Sequence, residues 1–370
     1  MRFPEFTGEW EKCKLENIIH VQGGYAFQSE KFQTIGVPII RISNLPQDSN
    51  TIDLTECVYY ENGNYDNFIV QKGDLLIAMS GATTGKTAIY KGDEKAFCNQ
   101  RVGLFRLKDK KLYYKFLYPF VESESFANQL NSKLVAGAQP NISSKDIEDI
   151  SISLPQIIEQ QKLSRLLELI TQRIATQNKI IQHLESLIKG ISQYLFGMVS
   201  SKFIPLSQLC NIQKGQQVNS EELTESGKYY MMNGGIIPSG YYDKYNTESN
   251  TISISEGGNS CGYVQYNDCR FWSGGHCYTI TDIKSNISTL YLFHYLKFKE
   301  QDIMALRIGS GLPNIQKKDI AKFPVLVLPE KQQEQITNLL QSITTKIKVE
   351  KDCLANLSQQ KQYLLQQMFI

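Results

Sequence analysis

The chain has 370 residues, of which 41% are hydrophobic and 21% charged, with a formal net charge of +2. That make-up excludes wholesale disorder and leaves room for two cored domains. No stretch approaches the roughly 18 uninterrupted apolar residues of a membrane span, and Met1-Arg2-Phe3-Pro4-Glu5 opens no secretory signal, so a cytoplasmic protein is expected.

In chain order, the first region carries short β-prone runs at Val37 to Ile42 and Leu75 to Ala78, separated by Gly, Asn and Ser clusters. This is the pattern of a compact mixed sheet with long loops. The string Gly81-Ala82-Thr83-Thr84-Gly85-Lys86-Thr87 looks like a phosphate-binding loop but is one residue short of the Walker spacing. Ala88-Ile89-Tyr90-Lys91-Gly92-Asp93 then reads as a strand and turn, where a phosphate site needs a helix N-terminus, so no ATP binding is expected here. An aromatic helix is predicted from about Tyr113 to Leu134, its rings read as core. Pro140-Asn141-Ile142 and Lys145-Asp146-Ile147 then lead to Leu154-Pro155, which opens a long apolar-periodic helix reaching Met198. Proline suits a helix's first turn and pushes the preceding residue into extended backbone, so Leu-Pro marks a domain edge.

About 173 residues later the order repeats. Leu206, Gln213 and Gly215 match Leu15, Gln22 and Gly24, and Gly258 and Gly262 after Ser255 match Gly81 and Gly85 after Ser80. A second aromatic helix is predicted from about Leu290 to Ile308 and a strand at Val325 to Leu328. Pro313-Asn314-Ile315 and Lys318-Asp319-Ile320 precede Leu328-Pro329, which opens a helix running to Ile370. An internal repeat of this length is a statement about architecture. The expected segments are a first variable domain over 1–154, a helix over 155–200, a second variable domain over 201–328 and a closing helix over 329–370. The expected class is α+β, with two mixed α/β domains and two long helices.

A helix packing along another repeats its apolar positions at steps of four and three. From Leu163 those steps reach Leu167, Ile170, Ile174, Gln177, Ile181, Leu184, Ile188, Ile191 and Leu195. From Ile336 they reach Leu340, Ile343, Ile347, Glu350, Leu354, Leu357, Lys361, Leu364 and Met368. Gln177 and Glu350 share a register position, which suggests a polar partner, a water or a bend. Runs of about 40 residues exceed ordinary globular helices and would extend roughly 60 Å. The economical arrangement packs the two as an antiparallel coiled coil, a spacer between the variable domains.

The eight cysteines are scattered; Cys261, Cys269 and Cys277 lie eight positions apart, without CxxC pairs, and read as buried free thiols, with no metal expected. No HExxH, no nucleophile elbow and no Asn-Pro-Pro-aromatic motif occurs. Catalysis, if any, belongs to a partner.

Two variable domains alternating with two related helices, each opened by Leu-Pro after a Pro-Asn-Ile phrase, resemble the specificity subunit of type I restriction-modification systems. The opening Arg2-Phe3-Pro4, Phe6, Trp10 and Leu15 is similar to that family, as is Gly73-Asp74-Leu75-Leu76 leading to Ser80-Gly81, Gly85-Lys86 and Asn99-Gln100-Arg101. The second domain departs from the pattern: Tyr263 stands where Lys86 does, and Ser273-Gly274-Gly275-His276 replaces Asn-Gln-Arg. The resemblance implies a non-catalytic subunit in which each variable domain reads half of a bipartite double-stranded DNA target. The helices would fix the gap and dock two methyltransferase subunits. It places S-adenosylmethionine on those subunits and ATP with magnesium on the restriction and translocase subunits, with no cofactor on this chain. Alternatives are the specificity subunit of a related type IIB or IIG-like system, an enzyme acting on DNA alone, and a coiled-coil scaffold without a DNA role.

A net charge of +2 is low for a protein working alone on DNA, so partners are expected to add positive charge. Basic patches occur at Lys108, Lys110, Lys111 and Lys115, at Lys297 and Lys299, and at Lys317, Lys318 and Lys322. Amide and guanidinium side chains on polar, Gly-rich loops suit base edges in the major groove. The candidates are Arg41, Thr83, Lys86, Gln100 and Arg101 in the first domain and Asn233, Asn259, Ser260 and His276 in the second.

Overall fold

The computed structural model describes residues 3–46, 50–134, 141–197, 202–309, 311 and 313–369. Met1, Arg2, Pro140, Met198 and Ile370, named above, lie outside them, as does position 200, the expected end of the first long helix. The chain divides into two compact units, Met1–Gln177 with Cys353–Ile370 and Asn178–Asp352. The division therefore falls within both long helices.

The first unit holds β1 (Glu11–Lys14), β2 (Ile19–Gly23), β3 (Val37–Ile40), β4 (Val58–Tyr60), β5 (Ile69–Val70), β6 (Leu75–Ala78), β7 (Thr87–Ile89), β8 (Ala96–Cys98) and β9 (Val102–Leu107). Helices α1 (Leu117–Val121), α2 (Glu124–Lys133) and α3 (Ser144–Glu148) follow, then β10 (Ser151–Leu154) and α4 (Ile157–Gly197). In place of one mixed sheet there are two four-stranded sheets, ordered β2-β9-β6-β7 and β4-β3-β8-β5, and a ribbon of β1 with β10. The parallel pair β3–β8 makes the second sheet mixed. Strands this short bury too little apolar surface in one layer, so both sheets contribute to packed cores.

In the second unit come β11 (Phe203–Pro205), β12 (Asn211–Lys214), β13 (Tyr229–Met232), β14 (Gly240–Tyr242), β15 (Thr251–Ser255), β16 (Val264–Asn267), β17 (Trp272–Ser273) and β18 (Cys277–Thr281). Helices α5 (Thr289–Phe298), α6 (Glu300–Met304) and α7 (Lys317–Ala321), strand β19 (Pro324–Leu326) and α8 (Glu330–Met368) complete the chain. The sheets repeat the first unit's plan: β12-β18-β15-β16, β14-β13-β17 and a β11–β19 ribbon.

Several expected boundaries move. Leu154 closes β10, paired with Glu11, so α4 starts only at Ile157. The run Val37 to Ile42 stops pairing at Ile40, and the strand expected at Val325 to Leu328 is β19, ending at Leu326. The first aromatic helix is broken, because the Ser123 hydroxyl caps a new helix by accepting the Phe126 N–H at 3.3 Å. The second breaks at Lys299 and ends at Met304, since Ile308 and Asn314 exchange backbone hydrogen bonds at 2.9 and 3.0 Å. All eight cysteines are free thiols, but Cys269, expected buried, is exposed, in the loop that follows β16.

Within each unit the two long helices meet antiparallel. In the first, Leu163 and Leu167 near the start of α4 share a core with Leu365, Met368 and Phe369 at the end of α8. In the second, Phe196 at the end of α4 shares a core with Ile336 and Leu340 near the start of α8. Ile181 and Ile343 are buried, while Ile170, Ile174, Leu184, Ile347, Leu354 and Leu357 are half-buried. Of the polar register positions, Gln177 is buried, Glu350 pairs with Lys346, and Lys361 pairs with Glu122 at 2.6 Å. Each helix ends on an aromatic anchor: Phe369 lies 5.4 Å from the Phe116 ring, and Phe196 lies 5.4 Å from Tyr295. Among the described residues no helix is long and apolar enough to cross a membrane.

Candidate nucleic-acid interface

The Gly81–Lys86 loop joins β6 to β7 through a fixed set of backbone bonds. The Gly85 N–H donates to Ala78 and the Ala78 N–H to Lys86, both at 2.8 Å; inside the loop Thr84 donates to Gly81 and Lys86 to Thr83. Gly81 and Gly85 sit at φ +83° and +84°, which side chains disfavour. The frame continues outward: Met79 donates to Arg101 at 2.9 Å, Ile142 to Met79 at 3.0 Å, Asn99 to Ile40 at 3.0 Å and Gln100 to Tyr25 at 2.9 Å. The Thr83 hydroxyl donates to Ile42 at 3.2 Å, beside Arg41.

Arg41, Thr83, Gln100 and Arg101 are thus gathered at one edge, where β3, β6 and β8 end. Gln100 and Arg101 are exposed. Arg41 reaches Glu56 only at 3.5 Å, and its buried Nε–H has no hydrogen-bond partner among the described residues. A buried unsatisfied donor costs about 1–3 kcal/mol and suits an acceptor supplied by a ligand. Lys86 points elsewhere: with Asn50, Glu122, Ile174 and Lys361 it lines a cavity of about 410 Å³.

The second unit rebuilds the loop part of this frame with matching backbone bonds. Gly262 donates to Ser255 at 2.8 Å, Ser255 to Tyr263 at 3.0 Å, Cys261 to Gly258 at 3.1 Å and Tyr263 to Ser260 at 2.9 Å. Glu256 donates to His276 and Ile315 to Glu256, as Met79 does to Arg101 and Ile142 to Met79. Gly258 and Gly262 again take positive φ, at +74° and +92°. His276 therefore stands where Arg101 stands, and Gly274 where Asn99 stands.

The glycine substitution has a visible cause. Asn233 Oδ1 accepts the His276 N–H at 3.0 Å, and a Cβ on Gly274 would come within 2.5 Å of that oxygen. Asn233 and Ser260, whose hydroxyl donates to Gly234, are engaged in holding the frame. Asn259 and His276 are exposed.

Sequence reasoning missed Glu256. Its carboxylate is nearly buried, accepting from Lys214 Nζ at 2.7 Å and the Tyr278 hydroxyl at 2.8 Å, with His276 Nδ1 3.6 Å away. Burial, and then the Glu256 carboxylate, holds the Tyr278 phenol above its ordinary range, so it stays a donor. The available signal was a charged residue directly following the alternating β-prone run Thr251–Ser255.

Four of the nine lysines in the basic patches face carboxylates. Lys111 faces Glu11, Lys115 faces Glu168, Lys297 faces Glu300 and Lys299 faces Asp302. Exposed pairs of this kind contribute little to stability and leave less free positive charge for phosphates than the sequence count suggests. Among the described residues no group of His, Cys, Asp or Glu is arranged to hold a metal ion.

One loop frame, built twice and dressed with different exposed side chains, defines a protein of two tandem, structurally related units. The particular family follows from comparison: the chain belongs to the type I restriction modification DNA specificity domain family, matched over residues 7–186 and 198–359. It is similar to the type I restriction enzyme MjaVIII specificity subunit of Methanocaldococcus jannaschii, 29% identical over 52% of this chain and 46% of that protein. A putative type I specificity subunit of Mycoplasma pneumoniae is 36% identical over 32% of each chain. These alignments span about half or less of those relatives. The putative MjaX specificity subunit aligns over 94% of this chain and 89% of its own length, at 22% identity. In fold, the chain is similar to the S subunit of a type I restriction-modification system from M. genitalium, with TM-score 0.74, 20% identity and coverage of 100% and 97%.

Proposed function

We propose that this chain is the DNA sequence-specificity subunit of a type I restriction-modification complex, each unit reading one half of a bipartite double-stranded target. The observation that carries this reading is the duplicated frame. Its backbone bonds coincide from Ala78 to Lys86 and from Ser255 to Tyr263, while the exposed groups at matching places differ, Arg101 against His276. A constant scaffold with variable exposed donors is what direct readout of two unlike half-sites requires. The orphaned Arg41 Nε–H supports a ligand acceptor at the first unit's edge.

In this reading the helices set the gap between half-sites and dock two methyltransferase subunits, and restriction subunits join them in the cytoplasm. S-adenosylmethionine, ATP and magnesium are bound by those partners, and this chain performs no chemistry itself. The test is reconstitution with the methyltransferase subunit of its own system, followed by single-molecule sequencing of modified bases. A bipartite motif with a fixed gap is the expected result. Methylation that is absent, or that depends on no sequence, overturns the proposal.

A further inference from the structure

The two frames differ most at one polar network. In the second unit Lys214 pairs with Tyr278 across β12 and β18, and Glu256 sits beside both. At the matching places the first unit has Gly23 paired with Gly103 across β2 and β9, and Met79, whose sulfur would lie 3.0 Å from a Cβ on Gly103. The first edge is thus floored by small and apolar groups, whereas the second is floored by a nearly buried carboxylate with a cation and an imidazole above it.

We infer that Glu256 is a positioning residue, holding Lys214 and His276 at the reading edge of the second unit and so setting the preference of that half-site alone. The inference rests on the DNA-reading function proposed above. Its geometry is that of a bracket. The Glu256 side chain is 8% exposed, while those of Lys214 and His276 are 53% and 64% exposed. Tyr278 fixes Oε1 from within at 2.8 Å; Lys214 Nζ takes the same oxygen from outside at 2.7 Å, and Oε2 faces His276 Nδ1. The backbone adds rigidity, since the Glu256 N–H donates to the His276 carbonyl and the Glu256 carbonyl accepts from Ile315.

A lysine on a flexible stem loses side-chain entropy when it binds, and a buried anion beneath it removes much of that cost beforehand. The carboxylate leaves the remaining ammonium N–H groups of Lys214 as oriented donors. The ligand chemistry is an acceptor oxygen or nitrogen of duplex DNA, either a guanine edge or a phosphate.

The test uses the specificity subunit assembled with its methyltransferase subunits, comparing wild type, E256Q, E256M, K214A/H276A and K214A/H276A/E256Q. E256M installs the residue type that the first unit carries. E256Q and E256M are expected to weaken discrimination at the second half-site by about fivefold or more, leaving the first half-site's motif unchanged. Adding E256Q to K214A/H276A should change nothing further, because Glu256 acts through those two side chains. A base-specific loss identifies a guanine edge, and a uniform loss with a shallower salt dependence identifies a phosphate. Three results would overturn the inference: no effect of E256Q, equal loss at both half-sites, or an undiminished E256Q effect in the K214A/H276A background. A wild-type complex that methylates no bipartite motif would instead overturn the DNA-reading function.

Discussion

Gln160 and Gln333, 173 positions apart, make the same three hydrogen bonds in their respective units. Gln160 accepts the Tyr113 N–H and donates to the carbonyls of Lys111 and Pro155, all at 2.8 Å. Gln333 accepts the Ser288 N–H at 3.0 Å and donates to Asn286 at 3.0 Å and Leu328 at 2.8 Å. Both side chains are buried, and each ties the first turn of a long helix to the segment that enters the aromatic helices.

Replacing either glutamine by leucine leaves buried backbone groups without partners. Gln160→Leu is expected to destabilise the first unit by about 3 kcal/mol and Gln333→Leu the second by a similar amount. Hydrogen exchange resolved by segment checks this. A variant that protects its own unit as well as wild type does would refute the clamp.

The Lys361–Glu122 pair is poorly exposed, at 16% and 17%, and Glu122 also accepts from Asn50. Removing one partner strands the other charge, so Lys361→Met should cost about 3 kcal/mol. The double variant Lys361→Met/Glu122→Gln should cost less than the sum of the singles. A double-mutant cycle from urea unfolding measures the coupling, and strict additivity would show that the pair is not coupled.

Burial pushes the His294 imidazole down to about 4. Its ordinary value is near 6.5, so between these values the unfolded chain binds a proton that the folded chain does not, and stability falls as pH falls. The loss begins near pH 6.5 and is complete near pH 4, at about 3 kcal/mol. His294→Leu should flatten this part of the second unit's pH profile. Identical slopes for variant and wild type across that window would count against it.

If the long helices set the spacing of the two half-sites, removing four residues from α4 shortens it by about 6 Å. The gap in the methylated motif should then change by one or two base pairs. Modified-base sequencing that reports the original gap would end the spacer idea.

Much of the frame was legible in the sequence because its causes are local. The four-and-three spacing from Leu163 and from Ile336 and the glycine pairs Gly81/Gly85 and Gly258/Gly262 each express a preference of a few adjacent residues. The broken aromatic helix was less legible. A hydroxyl at Ser123 can cap a helix or point to solvent, and only its surroundings decide which.

By itself the sequence determined that the chain is a repeat, where its two long helices run, and which loops carry glycine turns. Tertiary structure alone decided which distant groups meet. Lys361 finds Glu122, Phe369 enters the core beside Phe116, and Lys214, Glu256, His276 and Tyr278 converge from separate strands and loops. The reason is physical. Periodicity and turn preference depend on neighbours along the chain, whereas an ion pair or a ring contact forms only when strand register and helix docking have fixed both partners in space.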